Sequence, residues 1–112
     1  MTPREIQSVM RKLCYFDVSA AEGYRHLMKG DRLDRNLVRQ LIDEYITTQD
    51  ILIYASSKNC SHAQKHAAFE LIQDYRLNDA NARVQVVAAD FSGRILIEPI
   101  GAGIGERRKI KQ

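Results

Sequence analysis

Apolar residues recur at helical spacing through the first half of the chain. Ile6, Val9, Met10 and Leu13 fall at i, i+3, i+4 and i+7, with Arg4, Gln7, Ser8, Arg11 and Lys12 between them. That is one face of an amphipathic helix. Thr2-Pro3-Arg4-Glu5 in front of it reads as a capping box with proline at the first helical position. Ser19-Ala20-Ala21-Glu22 reads as a second box, followed by Ala20, Tyr24, Leu27 and Met28 as an apolar stripe and Gly30 as a stop. Asp31 to Asp34 offer caps for a third helix, with Leu33, Leu37, Val38, Leu41, Ile42, Tyr45 and Ile46 on a broad apolar face. Ser61-His62-Ala63-Gln64 reads as another box, opening a helix to about Leu77 with Ala68, Leu71, Ile72 and Tyr75 on one side.

The stretch from Thr47 to Ser57 admits two readings. Ile51-Leu52-Ile53-Tyr54 suits a buried strand, but no glycine or proline bounds it, and the pattern favours helix. After Asn81 the period changes from 3.6 to 2. Arg83–Ala89 and Arg94–Glu98 read as paired strands, joined through Asp90-Phe91-Ser92-Gly93, with Asp first and Gly last as in a type I turn. Pro99 ends regular pairing. The expected fold class is therefore α+β: four or five amphipathic helices followed by a C-terminal β-hairpin (83–98) packed on the helical bundle. A single domain is expected over 1–105, with a glycine-rich exit at Gly101-Ala102-Gly103-Ile104-Gly105, and 106–112 as a flexible basic tail.

Charge refines this picture. The chain carries 17 Lys and Arg against 14 Asp and Glu. Four of the basic residues and one of the acidic ones follow Gly105, so the body is neutral and the excess lies in the tail. Two widely separated cysteines, Cys14 and Cys60, make no disulfide framework and point to thiols in a reducing cytoplasm, Cys14 on an apolar helix face. No apolar run is long enough to span a bilayer, and the first residues lack a signal-peptide pattern. The expectation is a small cytoplasmic protein without a membrane role.

Four groups of residues could carry chemistry. Cys60, His62 and His66 are close in sequence and offer zinc-ligand types. With Ala63 after the first histidine, however, they lack the glutamate of a metalloprotease helix. Arg32, Arg35 and Arg39 share a helix face suited to phosphate contacts, amid Asp31, Asp34, Asp43 and Glu44. Arg107, Arg108, Lys109 and Lys111 suit nucleic acid or an acidic partner. Phe91 at a turn tip suits a partner contact or a fold-back onto the core. The glycine run lacks the following helix that a phosphate loop needs. No Gly-x-Ser-x-Gly elbow or Cys/His signature marks a catalytic nucleophile, and no cofactor motif occurs.

These features favour a non-enzymatic interaction or regulatory protein acting through a helical face or the hairpin edge, with a protein partner or a second copy of itself. Two alternatives follow from the same residues. One is nucleic-acid binding through the tail and the arginine-bearing helix, winged-helix-like in element order only. The other is metal binding at Cys60, His62 and His66.

Overall fold

The computed structural model describes residues 4, 5, 8, 23–56 and 58–107. Arg4, Glu5 and Ser8 are helical and exposed, and Arg4 and Ser8 belong to the wet face of the first expected helix. The rest of that helix, Cys14 and the second capping box lie outside the described residues.

The order of elements is β1 (Arg25–His26), β2 (Met28–Lys29), β3 (Arg32–Leu33), α1 (Arg35–Tyr45), β4 (Asp50–Tyr54), β5 (Cys60–Gln64), a 3₁₀ turn (Lys65–Ala67), α2 (Ala68–Asn78), β6 (Val84–Ala88), β7 (Gly93–Ile97) and β8 (Ala102–Arg107). Six strands form one antiparallel sheet in the order β1-β8-β7-β6-β4-β5, and β2 and β3 form a separate ribbon. The helical bundle expected from sequence is thus corrected: a six-stranded sheet dominates, with α1 and α2 packed against it. The hairpin is present as β6 and β7, but it lies at the centre of the sheet. β4 covers one of its sides and β8 the other.

Each departure has an identifiable cause. Ile51, Leu52 and Ile53 are all buried, as are Val86, Val87 and Ala88, and Ile95, Leu96 and Ile97. A strand buried on both faces loses its alternation, and a short continuous apolar run has no period that separates strand from helix. The segment 50–54 is β4, not the favoured helix. Gly30 is no helix stop. It sits at φ 65° in the two-residue turn of the β2–β3 ribbon, where Met28 faces Leu33 and Lys29 faces Arg32. A left-handed glycine serves both purposes, so its presence alone did not decide between them. The helix expected from Ser61 begins at Ala68, because residues 60–64 pair with β4.

α1 follows the sequence pattern closely. Asp34 caps it, its Oδ1 accepting from the backbone N–H of Asn36 (2.8 Å) and Leu37 (3.1 Å). Val38, Leu41, Ile42 and Tyr45 are buried. The glycines expected as an exit linker build β8 instead, and Glu106 and Arg107 complete that strand. A Cβ at Gly103 would strike Leu27 and Leu41, and one at Gly105 would overlap the Tyr45 ring. Glycine here brings the sheet backbone directly under α1, which a side chain would prevent.

The main core lies between the sheet and the helices, built from Ile51, Ile53, Val84, Val86, Ile95 and Ile97 against Val38, Leu41, Ile42 and Ile72. On the opposite sheet face, Leu52 and Val87 are buried, with Tyr54, Cys60 and Phe91 packed on them. That face also holds an ion pair. Arg94 Nη2 lies 3.2 Å from Glu106 Oε2, with both side chains largely buried. No helix among the described residues is long and apolar enough to cross a membrane.

Candidate functional site: a sheet edge beside a basic cleft

β5 is the end strand of the sheet, and among the described residues no strand pairs with its outer side. Its register on β4 places Leu52 opposite His62 and Tyr54 opposite Cys60. The backbone bonds that bracket this pairing run from Ala55 N to Asn59 O (2.8 Å) and from Lys65 N to Gln49 O (2.7 Å). Bonded and non-bonded pairs alternate in an antiparallel ladder. Residues 61 and 63 therefore bond inward to β4, and the backbone N–H and C=O groups of Cys60, His62 and Gln64 point outward. Native edges are commonly blunted by lysine, proline or a bulge. Cys60-Ser61-His62-Ala63-Gln64 has neither of those residues, and its pairing with β4 runs without a break.

The side chains hold this edge in place. Ser61 and Ala63 turn toward the helices, and the Ser61 hydroxyl lies 2.8 Å from the Tyr75 hydroxyl on α2. Gln64 Nε2 donates to Asp50 Oδ1 at 2.6 Å on the neighbouring strand. His62 Nε2 is 4.0 Å from the same Asp50 oxygen. Burial raises the pKa of the Cys60 thiol above its ordinary value, so the thiol form is favoured.

The sequence singled out Cys60, His62 and His66 as ion ligands on the premise of a helix. In a strand, Cys60 and His62 share one sheet face, whereas His66 sits in the following 3₁₀ turn. Among the described residues, no group of three or more His, Cys, Asp or Glu side chains is placed to hold a metal ion.

The arginines divide between structure and surface. Arg32 is exposed on β3, off the helix, so the expected three-residue stripe reduces to Arg35 and Arg39, one turn apart on α1. Arg35 Nη1 donates to Glu70 Oε1 at 2.7 Å, and its Cζ lies 4.7 Å from the centre of the Phe69 ring. The hydrogen bond from Arg35, with a smaller contribution from the Arg39 charge, holds the Glu70 carboxyl below its usual range. Arg35, Arg39 and His66 meet at one cleft between α1 and the 3₁₀ turn, where Lys65 joins them. Lys65 was missed by sequence reasoning. Nothing in a lone lysine after a polar strand marks it, since the sheet register alone brings it opposite α1.

Of the basic tail, Arg107 belongs to β8. Its Nη2 donates to the Glu44 carbonyl at 2.7 Å, and its Cζ lies 5.5 Å from the centre of the Tyr45 ring. Arg108, Lys109 and Lys111 lie outside the described residues. Phe91 has φ 61° in the β6–β7 turn and is half-buried against Leu52 and Val87. Comparison with known proteins adds no relative: no family model matches the chain, no curated protein matches it, and no solved structure matches its fold.

Proposed function

We propose that this is a non-enzymatic interaction protein of the cytoplasm, which takes up an extended protein segment along β5. The observation that carries the reading is the outer side of β5, with which no strand pairs among the described residues and where His62 and Gln64 present a row of backbone donors and acceptors. A peptide strand binds such a row through main-chain hydrogen bonds, and neighbouring side chains supply selectivity. His62 and Gln64 are exposed beside that row and Cys60 is half-buried. The occupant is a segment of another protein or β5 of a second copy. In the second case, two antiparallel β5 strands would join the sheets of both molecules.

Replacing His62 with proline separates this reading from its rivals. Proline removes the central outward N–H without deleting a β4–β5 bond, and edge strands accept proline where the N–H faces solvent. Sedimentation velocity over a concentration series, and then affinity capture from cell extract, are run on the parent chain and on His62→Pro. An association that the parent makes and the folded variant loses supports strand addition. A variant that keeps every association overturns it.

The nucleic-acid reading draws less support. Of the basic tail, Arg107 is engaged by Glu44 and Tyr45. Fluorescence anisotropy with single-stranded DNA at low salt tests it, since phosphate contacts are strongest there.

A further inference from the structure

The cleft between α1 and the 3₁₀ turn has a volume of about 280 Å³. It lies at the small end of ligand sites, which begin near roughly 300 Å³. Three cationic side chains line it, and two of them are already balanced. Arg35 is paired with Glu70, and Lys65 Nζ lies 3.1 Å from Asp43 Oδ1. Arg39 differs, for it acts on Glu70 only through its charge, and no hydrogen bond or ion pair within the described residues engages its guanidinium. The side chains of His66 and Gln49 line the same cleft, likewise without a partner there. Counting Asp43 and Glu70 against Arg35, Arg39 and Lys65, the cleft carries one positive charge in excess, together with unspent N–H donors from three different segments.

We propose that this cleft binds a phosphate group, with Arg39 as its principal ligand and Arg35 and Lys65 as flanking donors. Arg35 is pre-positioned, because Glu70 fixes one side of its guanidinium while the Phe69 ring supports its face. Only one of its five N–H groups has a bond to Glu70, so others remain to face an anion. A planar guanidinium fork matches two oxygens of a phosphate. Donors approaching from α1, from the 3₁₀ turn and from the loop before β4 suit a tetrahedral anion better than a flat carboxylate. Phe69 and Ile42 add an apolar wall, against which the organic stem of a phosphate monoester can rest. The shared chemistry is the phosphate group itself, whether free or on a small ester.

The test is a ¹H–¹⁵N NMR titration of the full chain with inorganic phosphate and, separately, with phenyl phosphate, each against sodium chloride at matched ionic strength. The expected result is saturable shifts at the amides of Arg39, Lys65 and His66, with a dissociation constant of about 1 mM or tighter. Tighter binding of the ester identifies an organic phosphate as the ligand, and equal binding identifies the free ion. Arg39→Ala weakens binding at least tenfold, Arg39→Lys falls between, and Arg83→Ala, whose side chain pairs with Glu98, leaves it unchanged. The same spectra show that each variant is folded. Three results overturn the proposal: shifts reproduced by sodium chloride, Arg39→Ala binding like the parent, or cleft shifts produced by a single-stranded oligonucleotide when neither phosphate probe gives any.

Discussion

Replacing Gly105 with alanine tests the seat of α1 on the sheet. Gly105 lies in β8 opposite Ile95, and the added methyl would run into the side of the Tyr45 ring. The ring has little room to retreat. It is buried, and the Arg25 and Arg107 guanidinium carbons lie 5.8 and 5.5 Å from its centre. At Gly93 on the neighbouring strand, a Cβ would meet the Tyr45 carbonyl, so the backbone is held as closely as the ring. Overpacking of this kind costs about 1–3 kcal/mol. The stiffer unfolded chain of an alanine variant returns about 0.4–1 kcal/mol. The net expectation is a loss of about 1–2 kcal/mol, which lowers the melting temperature by roughly 5–10 °C for a domain of this size. Urea titration followed by circular dichroism measures it, with the slope checked for constancy. A double-mutant cycle with Tyr45→Ala isolates the contact. If the clash is the cause, Gly105→Ala costs less once the ring is gone. A Gly105→Ala chain as stable as the parent, or more so, refutes the close approach of α1 to β8.

Two further predictions rest on single interactions. Asp34→Ala leaves the backbone N–H groups of Asn36 and Leu37 without their cap and costs about 1 kcal/mol, seen as a lower urea midpoint, while Asp34→Asn keeps most of the stability. Glu70, held below its ordinary pKa first by the hydrogen bond from Arg35, contributes stability at pH above its unfolded value of about 4.3. That contribution is lost as pH falls through the lower folded value. The carboxyl is exposed and solvent-screened, so the effect on unfolding is small. Side-chain ¹³C NMR reads it directly. The Glu70 midpoint should move up in Arg35→Ala, and an unchanged midpoint would break the assigned cause.

Some elements were legible because their determinants are local. α1 is marked by an aspartate cap and a broad apolar stripe within one continuous segment, and the structure keeps both. β6 and β7 are marked by two apolar segments on either side of a short Asp-to-Gly turn, and both form. The hairpin's place in the molecule was a different matter. Its strands are buried on both faces and both sides, by partners far away in sequence, and no local pattern announces β4 and β8 as those partners.

The candidate site divides in the same way. The types of Arg35, Arg39, Cys60, His62 and His66 were visible in the chain, but their grouping rested on helical spacing. Once residues 60–64 are a strand, alternation puts Cys60 and His62 on one sheet face and leaves His66 for the cleft with Arg39. By itself, the sequence determined where chain segments cap, turn and bury an apolar stripe, because hydrogen bonds and side-chain period act over a few residues. Only the tertiary structure decided which apolar runs became strands, that glycines at 103 and 105 carry a helix rather than release a tail, and that β5 lies at the edge. Those outcomes depend on long-range pairing and close packing, whose energies belong to pairs of segments and not to either segment alone.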